Sequence, residues 1–338
     1  MAFCNSIKLE KGMYTVGSKN FTQVLESLDP TVNYKGTELE GLDAYQRQLK
    51  KFDIKVSGTD CNMVEKFFST TDSAVLFPEF IARAVRQGVA ECDILKSILA
   101  TTTKVDSIDY RAVSSATESS ENNSVAEGAA IRNVNVRTKD KLISLKKHGR
   151  VFSSSYEALR FQNLDVLTVI LKRIGADIAN ELLTDAVNAL ISGDGTSGDA
   201  ADVVEETGAA ITYDHLLELW EAVSPYRLNT MLASAGLVKE ILALSDMKDS
   251  ITGLYFQGTG KVLTPMGASL FIAPSVAANT VLGFDKSCAL QMIQSGDILV
   301  DYDKVIDRQL ERATISIAAG FSRLFKDAVK VLTYSAQS

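Results

Sequence analysis

The longest regular pattern in the chain is helical, and it constrains everything around it. Leu167, Ile170, Leu171, Ile174, Ile178, Leu182, Ala186 and Leu190 recur at three- and four-residue steps, while Lys172, Arg173, Asp177, Glu181 and Asp185 fall mostly off that stripe. This spacing puts the apolar side chains on one face of an α-helix. A helix of about 28 residues is roughly 42 Å long at 1.5 Å per residue, which makes it a spine for other elements to pack on. At its start, Ser154 and Glu157 have capping-box spacing, and Asn163 is placed to cap a second start after Phe161.

The spine runs into ISGDGTSGDA, Ile191 to Ala200, where Gly193, Gly195 and Gly198 have the G-x-G-x-x-G spacing of a dinucleotide-binding loop. That loop needs a strand before it and a helix starting from it, so that helix N–H groups face the phosphates. Here a helix precedes it, and the text that follows, DAADVVEETGAA, is acidic. Gly193 and Gly195 are therefore expected as a helix stop, with Gly193 at the C-cap position. A nucleotide-binding enzyme using the Gly193/Gly195/Gly198 loop stands as the alternative from another class.

Before the spine, the period switches to two. Ile131, Val134 and Val136 lead to TKDK at Thr138 to Lys141, and alternation resumes from Leu142 to Val151, which predicts a two-stranded hairpin. Between Ala129 and Ser153, Arg132, Arg137, Lys139, Lys141, Lys146, Lys147 and Arg150 are opposed only by Asp140. A projecting hairpin is marginal alone in water, so these seven residues are candidates for contact with another surface. The preceding SSATESSENNS, Ser114 to Ser124, lacks bulky apolar residues and is expected to be a solvated loop.

Residues 1 to about 75 carry scattered glycines and read as an extended arm with short helices, one of them over LDAYQRQLKKF, Leu42 to Phe52. A helix opens near Pro78-Glu79, and Gly88 is placed to stop it. After the spine, YDHLLELWEAVS predicts an amphipathic helix with Leu216, Leu217, Trp220 and Val223 on one face. NTMLASA predicts a strand leading into the helix GLVKEILAL; SLFIAPSVA and TVLGFD predict buried strands; ALQMIQSGDILVDYD predicts two more; RATISIAAGFSRLF and AVKVLTY predict a late strand pair. The class is mixed α and β.

No local signature of chemistry accompanies this architecture. His148 and His215 have no second ligand at helical spacing, and no G-x-S-x-G occurs. GTGK at Gly258 to Lys261 lacks the first P-loop glycine, since position 255 is Tyr, and Val262 stands where Ser or Thr belongs. Acidic pairs such as Glu205 with Glu206 and Asp301 with Asp303 read as solvated. The four cysteines lack C-x-x-C spacing and read as free thiols. With a net charge of −7 the whole chain offers no general attraction to nucleic acid or anionic lipid. No signal-peptide or membrane-spanning run is present in the sequence. No catalytic, cofactor or metal site is expected.

Taken in order, these elements resemble the major capsid proteins of tailed bacteriophages, with the fold named after phage Hong Kong 97. AEGAAIRNVNVRTKDKLISLKKHGRVFSSSYEAL is similar to the family's extended loop, ALISGDGTSG to the end of its spine helix, and TYDHLLELWEAV, TMLASAGLVKEILAL and SLFIAPSVA to its axial domain. ATISIAAGFSRLFKDAVKVLTY is similar to the returning peripheral strand. The resemblance implies an α+β chain with an N-terminal arm (1–76), an arm continuation and start of the peripheral domain (77–125), an extended loop (126–153), the spine helix (154–192), an axial domain (193–300), and peripheral strands with the C-terminus (301–338).

It also implies a structural subunit, not an enzyme. Hexamers and pentamers of itself would form an icosahedral shell around double-stranded DNA, bound without sequence preference. Separate scaffolding and portal proteins and a decoration protein are the further implied partners; no membrane is involved. The shell would be assembled in the bacterial host cytoplasm and end as the virion capsid. Some relatives crosslink a loop lysine to a peripheral asparagine, but Thr280 to Ser338 contains no Asn, so that locking is not expected. The arm does not resemble a cleaved scaffolding segment and is expected to stay attached. An encapsulin-like compartment enclosing a cargo enzyme is the alternative within the fold.

Overall fold

A computed structural model describes residues 7–14, 20–92, 94–107, 109–111, 113–116, 127, 135–138, 142–193, 200–208, 210–245, 247, 264 and 266–335. Its helices are α1 (Phe21–Leu28), α2 (Ala44–Lys51), α3 (Thr71–Ala74), α4 (Phe77–Glu91), α5 (Leu95–Ile98), α6 (Tyr156–Arg160), α7 (Leu164–Ser192), α8 (Tyr213–Ala222) and α9 (Ala235–Ala243). Its strands are β1 (Thr101–Val105), β2 (Asp109–Tyr110), β3 (Val113–Ala116), β4 (Asn135–Thr138), β5 (Ile143–Ser144), β6 (Lys146–Ser155), β7 (Asp202–Thr207), β8 (Thr230–Ala233), β9 (Ser269–Ile272), β10 (Thr280–Phe284), β11 (Leu290–Val305), β12 (Leu310–Arg323) and β13 (Val329–Ser335). They form a four-stranded sheet ordered β1-β11-β12-β6, a five-stranded sheet ordered β7-β13-β10-β8-β9, and the pairs β2-β5 and β3-β4. Two compact units result, one from residues within 1–93, 147–180 and 296–317, the other from residues within 94–146, 181–295 and 318–338.

In the first unit, the stretch expected as an arm with short helices carries buried apolar side chains, and its Phe67 ring packs on Phe77 and Phe80 of α4. Phe21, Leu25, Tyr45, Leu49, Val64 and Phe67 are buried there. Asp43 caps α2 by accepting from Gln46 N. The Arg47 guanidinium is fully buried, with Nε 2.9 Å from Asp29 Oδ2 and Nη1 donating to Leu42 O, and it lies over the Tyr34 ring. Short apolar groups separated by glycine hide this organisation, because each helix is only two turns long and its partners are distant in sequence.

Gly88 does not stop α4, which continues to Glu91. A Cβ at Gly88 would stand 2.1 Å from Lys172 O, and one at Gly175 would stand 2.3 Å from Val85 O. The two glycines let α4 and α7 cross backbone against backbone, so the residue read as a breaker is a packing notch. The start of α7 is fixed by Val64 N donating to Gln162 O and Leu164 N donating to Asn62 O. The α6 cap is Ser155, which accepts from Ala158 N; the Ser154–Glu157 reading was one residue early.

The second unit holds the five-stranded sheet. Strands β8 and β10 are buried along their whole length, and Leu216, Leu219, Val223, Leu237, Val238 and Ile241 from α8 and α9 pack with Met231, Val281 and Leu332 into one core. Asp285 organises the turn after β10, accepting from Asn229 Nδ2 at 2.7 Å, Ser287 N at 3.0 Å and Arg227 N at 3.2 Å.

Three strand expectations are corrected. ALQMIQSGDILVDYD runs into one continuous strand, β11, within which Gly296 takes φ +69°, a conformation open to glycine, without reversing the chain. Strands β12 and β13 do not pair with each other: β13 lies between β7, parallel, and β10, antiparallel. Residues Val329–Ser335, grouped by sequence with the peripheral strands 301–338, are thus hydrogen-bonded into the sheet of the 193–300 region. The hairpin also differs. Strand β4 pairs with β3, setting Ala116 opposite Asn135 and Val113 opposite Thr138, and β5 pairs with β2, setting Tyr110 opposite Ile143. Strand β4, which ends at Thr138, thus pairs with residues from the region read as a solvated loop and not with the strand that follows; Lys139–Lys141 lie outside the described residues.

Candidate inter-subunit surfaces

Four of the seven basic residues of the extended loop fall on described strands, Arg137 on β4 and the others on β6. Lys146, Lys147 and Arg150 are exposed on β6, which forms one edge of its sheet. Gly149 sits among them because Ile315 O would stand 2.6 Å from a Cβ there, so β6 is pressed close to β12 while its cations face solvent. Lys146 Nζ is 3.0 Å from Asp185 Oδ1, at the rim of a shallow hollow of about 390 Å³ lined by Leu142, Ile143, Ala189, Gly320 and Phe321. Arg137 lies on β4 opposite Ser114. Arg132, Lys139 and Lys141 lie outside the described residues.

Gly193 has the geometry of a helix stop. It adopts φ +65°, and its N–H donates to Ala189 O at 3.0 Å. Ala201 N donates back to Ile191 O at 2.8 Å, and the buried Arg323 donates from Nη1 to Leu190 O at 3.0 Å. This end of α7 presents carbonyls and the negative end of the helix dipole, which repel a phosphate. A pyrophosphate cradle needs the opposite end of a helix, so the geometry at Gly193 argues against the nucleotide alternative. Gly195, Gly198 and Gly258–Lys261 lie outside the described residues.

Other groups singled out by chemistry have structural surroundings. His215 is buried, stacks on Tyr334 and accepts from Thr212 N at the start of α8. Cys61, Cys92 and Cys288 are free thiols; burial, then the Asp285 carboxylate, pushes the Cys288 thiol up to about 11, away from thiolate reactivity. Among the described residues no group of three metal-ligating side chains is gathered, and no helix is long and apolar enough to cross a membrane.

Apolar side chains left in solvent mark two helices. On the first half of α7, Val166, Val169 and Ile170 are exposed, Val169 by 67 %, with Phe161 just before them exposed by 68 %. On α8 the sequence grouped Leu216, Leu217, Trp220 and Val223 on one face, but the buried stripe is Leu216, Leu219 and Val223, whereas Leu217 is 39 % and Trp220 53 % exposed. The 216, 219, 223 spacing is the helical repeat; Leu217 and Trp220 stand on its flank. Asp214, Glu218 and Glu221 form the adjoining exposed ridge. A hydrogen bond with the Glu206 carboxyl raises the Glu218 carboxyl above its ordinary range.

An α+β chain with a strand-built loop, a 29-residue spine helix and a five-stranded sheet flanked by two helices has the Hong Kong 97-type capsid architecture. The solved structures it resembles include a virus-like particle from Pyrococcus furiosus (14% identity, TM-score 0.55, covering 75% of this chain and 98% of that one). They also include the capsid of an empty GTA particle (17%, 0.50, 72% and 90%) and Microbacterium phage Oxtober96 (11%, 0.50, 72% and 91%). At these identities the likeness is one of fold. No curated protein matches the chain in sequence. Residues 138–287, from the loop through the spine to β10, match the family model for phage capsid protein. This match, together with the fold, supports a structural capsid subunit that self-associates into a shell and has its place in the virion capsid, rather than an enzyme. The same match does not favour the encapsulin-like alternative.

Proposed function

We propose that this capsid subunit builds an icosahedral shell through hexamers and pentamers, enclosing the double-stranded DNA of a tailed phage or prophage. The observation that carries this reading is the capsid-family match over residues 138–287, which covers the loop from Thr138 onward, the spine and four of the five strands of the sheet. The loop of each copy, bearing Arg132, Arg137, Lys139, Lys141, Lys146, Lys147 and Arg150, lies over an adjacent copy. Its cations fix register more than affinity, since exposed ion pairs each contribute little. Residues 193–300 meet around the symmetry axes, and residues 1–76 stay attached.

A net charge of −7 suits a container for DNA: strong attraction to phosphates on the lumenal wall would oppose release. Assembly takes place in the bacterial host cytoplasm, with separate scaffolding and portal proteins and a decoration protein as partners. Electron microscopy and sedimentation of the purified full chain, with and without nuclease, test the reading. Closed shells or five- and six-membered rings are expected. A homogeneous monomer or dimer under all assembly conditions overturns it, and mature subunits beginning near residue 75 overturn the retained arm.

A further inference from the structure

We propose that the outward face of α8, formed by Tyr213, Asp214, Leu217, Glu218, Trp220 and Glu221, is the surface that receives the basic β6 edge of a second copy's extended loop. This rests on the shell-subunit reading above and names the receiving surface, which that reading leaves open. The apolar side chains of the face point to a covered state. Trp220 is the only tryptophan in the chain and is 53 % exposed, beside a 39 % exposed Leu217. Large aromatic and aliphatic side chains at the centre of an exposed patch are the usual anchors of protein interfaces.

The charge identifies the occupant. Between Asp199 and Ser224 the sequence carries Asp199, Asp202, Glu205, Glu206, Asp214, Glu218 and Glu221 and no Lys or Arg; Asp202 is already paired with Lys326 and Lys330, which leaves the glutamates and Asp214 to face a partner. The proximity of Glu206 and Glu218 concentrates this charge: their carboxyls are close enough to hydrogen-bond, and a cation placed between them relieves their repulsion. A polyanion such as DNA is repelled by such a face. The complementary text in the same chain is Ala129 to Ser153, with seven cations against one Asp. Of these, Lys146, Lys147 and Arg150 are exposed on an edge strand, and Val151 beside them is an exposed apolar side chain that can meet Trp220. Opposite charge around an apolar centre favours encounter in one register.

The test uses full-length chains under conditions in which the wild type forms shells. Chains carrying Lys147→Cys and chains carrying Leu217→Cys are mixed, assembled and treated with a short bismaleimide, with the unsubstituted chain as the background for the native cysteines. Crosslinked dimers are expected in the mixture and not in either variant alone. On assembly, the Trp220 emission should shift to the blue and lose access to iodide. Lys147→Glu and Glu221→Lys should each raise the concentration needed for assembly by about two- to fivefold, the range an exposed pair commands, and the two together should restore it. Circular dichroism melts confirm that each variant is folded. Shells that form with Trp220 still open to iodide and without the mixed crosslink overturn this inference and leave the shell reading standing. A wild type that forms no shells under any condition overturns both.

Discussion

Gly88 and Gly175 show how a single missing Cβ decides packing. Each faces the other helix's backbone at a distance no side chain tolerates, so Gly88→Ala must push α4 and α7 apart; the expected cost is about 1–3 kcal/mol, read as a lower urea midpoint at unchanged m-value. Gly12, where a Cβ meets nothing within 4 Å, is the control position and its alanine variant should melt like the wild type. At Asp285, burial pulls the carboxyl upward, but hydrogen bonds from Ser287 N, Arg227 N and Asn229 outweigh it and hold it below the ordinary aspartate range. A lowered folded-state value means the carboxylate stabilises the fold above its unfolded pKa and loses that contribution as pH falls through the folded one. Asp285→Asn should therefore destabilise at pH about 7 and converge with the wild type as pH drops below the unfolded value of about 4, which urea titrations across that range will show.

At the scale of elements, the loop and the spine are set by their ends. Gly193 takes φ +65° after the last turn of α7, a conformation that costs an L-residue roughly 1 kcal/mol; Gly193→Ala should lower stability by about that amount, measured by thermal melting. The elements written in periodic text were legible. The spine, α8, α9, β8 and β10 all lie where their apolar spacing put them. Pairing was not. Residues Val113–Ala116 are Ser-rich and carry no strand signature, yet they form the partner of Asn135–Thr138, because a ladder depends on which backbone is opposite rather than on local propensity. The same holds for β13, whose own alternation reveals a strand but not that β7 and β10 flank it.

At the scale of the whole molecule, a structural subunit distributes its function over surfaces. Exposed Val166, Val169 and Ile170 on α7 and Trp220 on α8 are apolar area that a lone soluble subunit has no reason to expose in clusters, and the basic loop adds charge to it. Contacts of this kind respond to ionic strength. Raising monovalent salt from about 0.1 M to about 1 M shortens the Debye length from about 10 Å to about 3 Å, and is expected to slow shell formation from free subunits, followed by light scattering. An assembly rate that does not respond to salt would mean that the loop cations take no part in encounter.

What the sequence determined by itself was the set of local elements and the absence of a local catalytic signature, because helical period, strand alternation, caps and motif spacing are short-range properties. It also located the cations of the loop and the stop at Gly193. Which backbones pair, that Gly88 is a notch rather than a terminus, that Arg47 is buried against Asp29, Tyr34 and Leu42, and that Trp220 faces solvent were decided only by tertiary structure. Each depends on what lies across from a residue, and that neighbour is contributed by chain tens to hundreds of positions away.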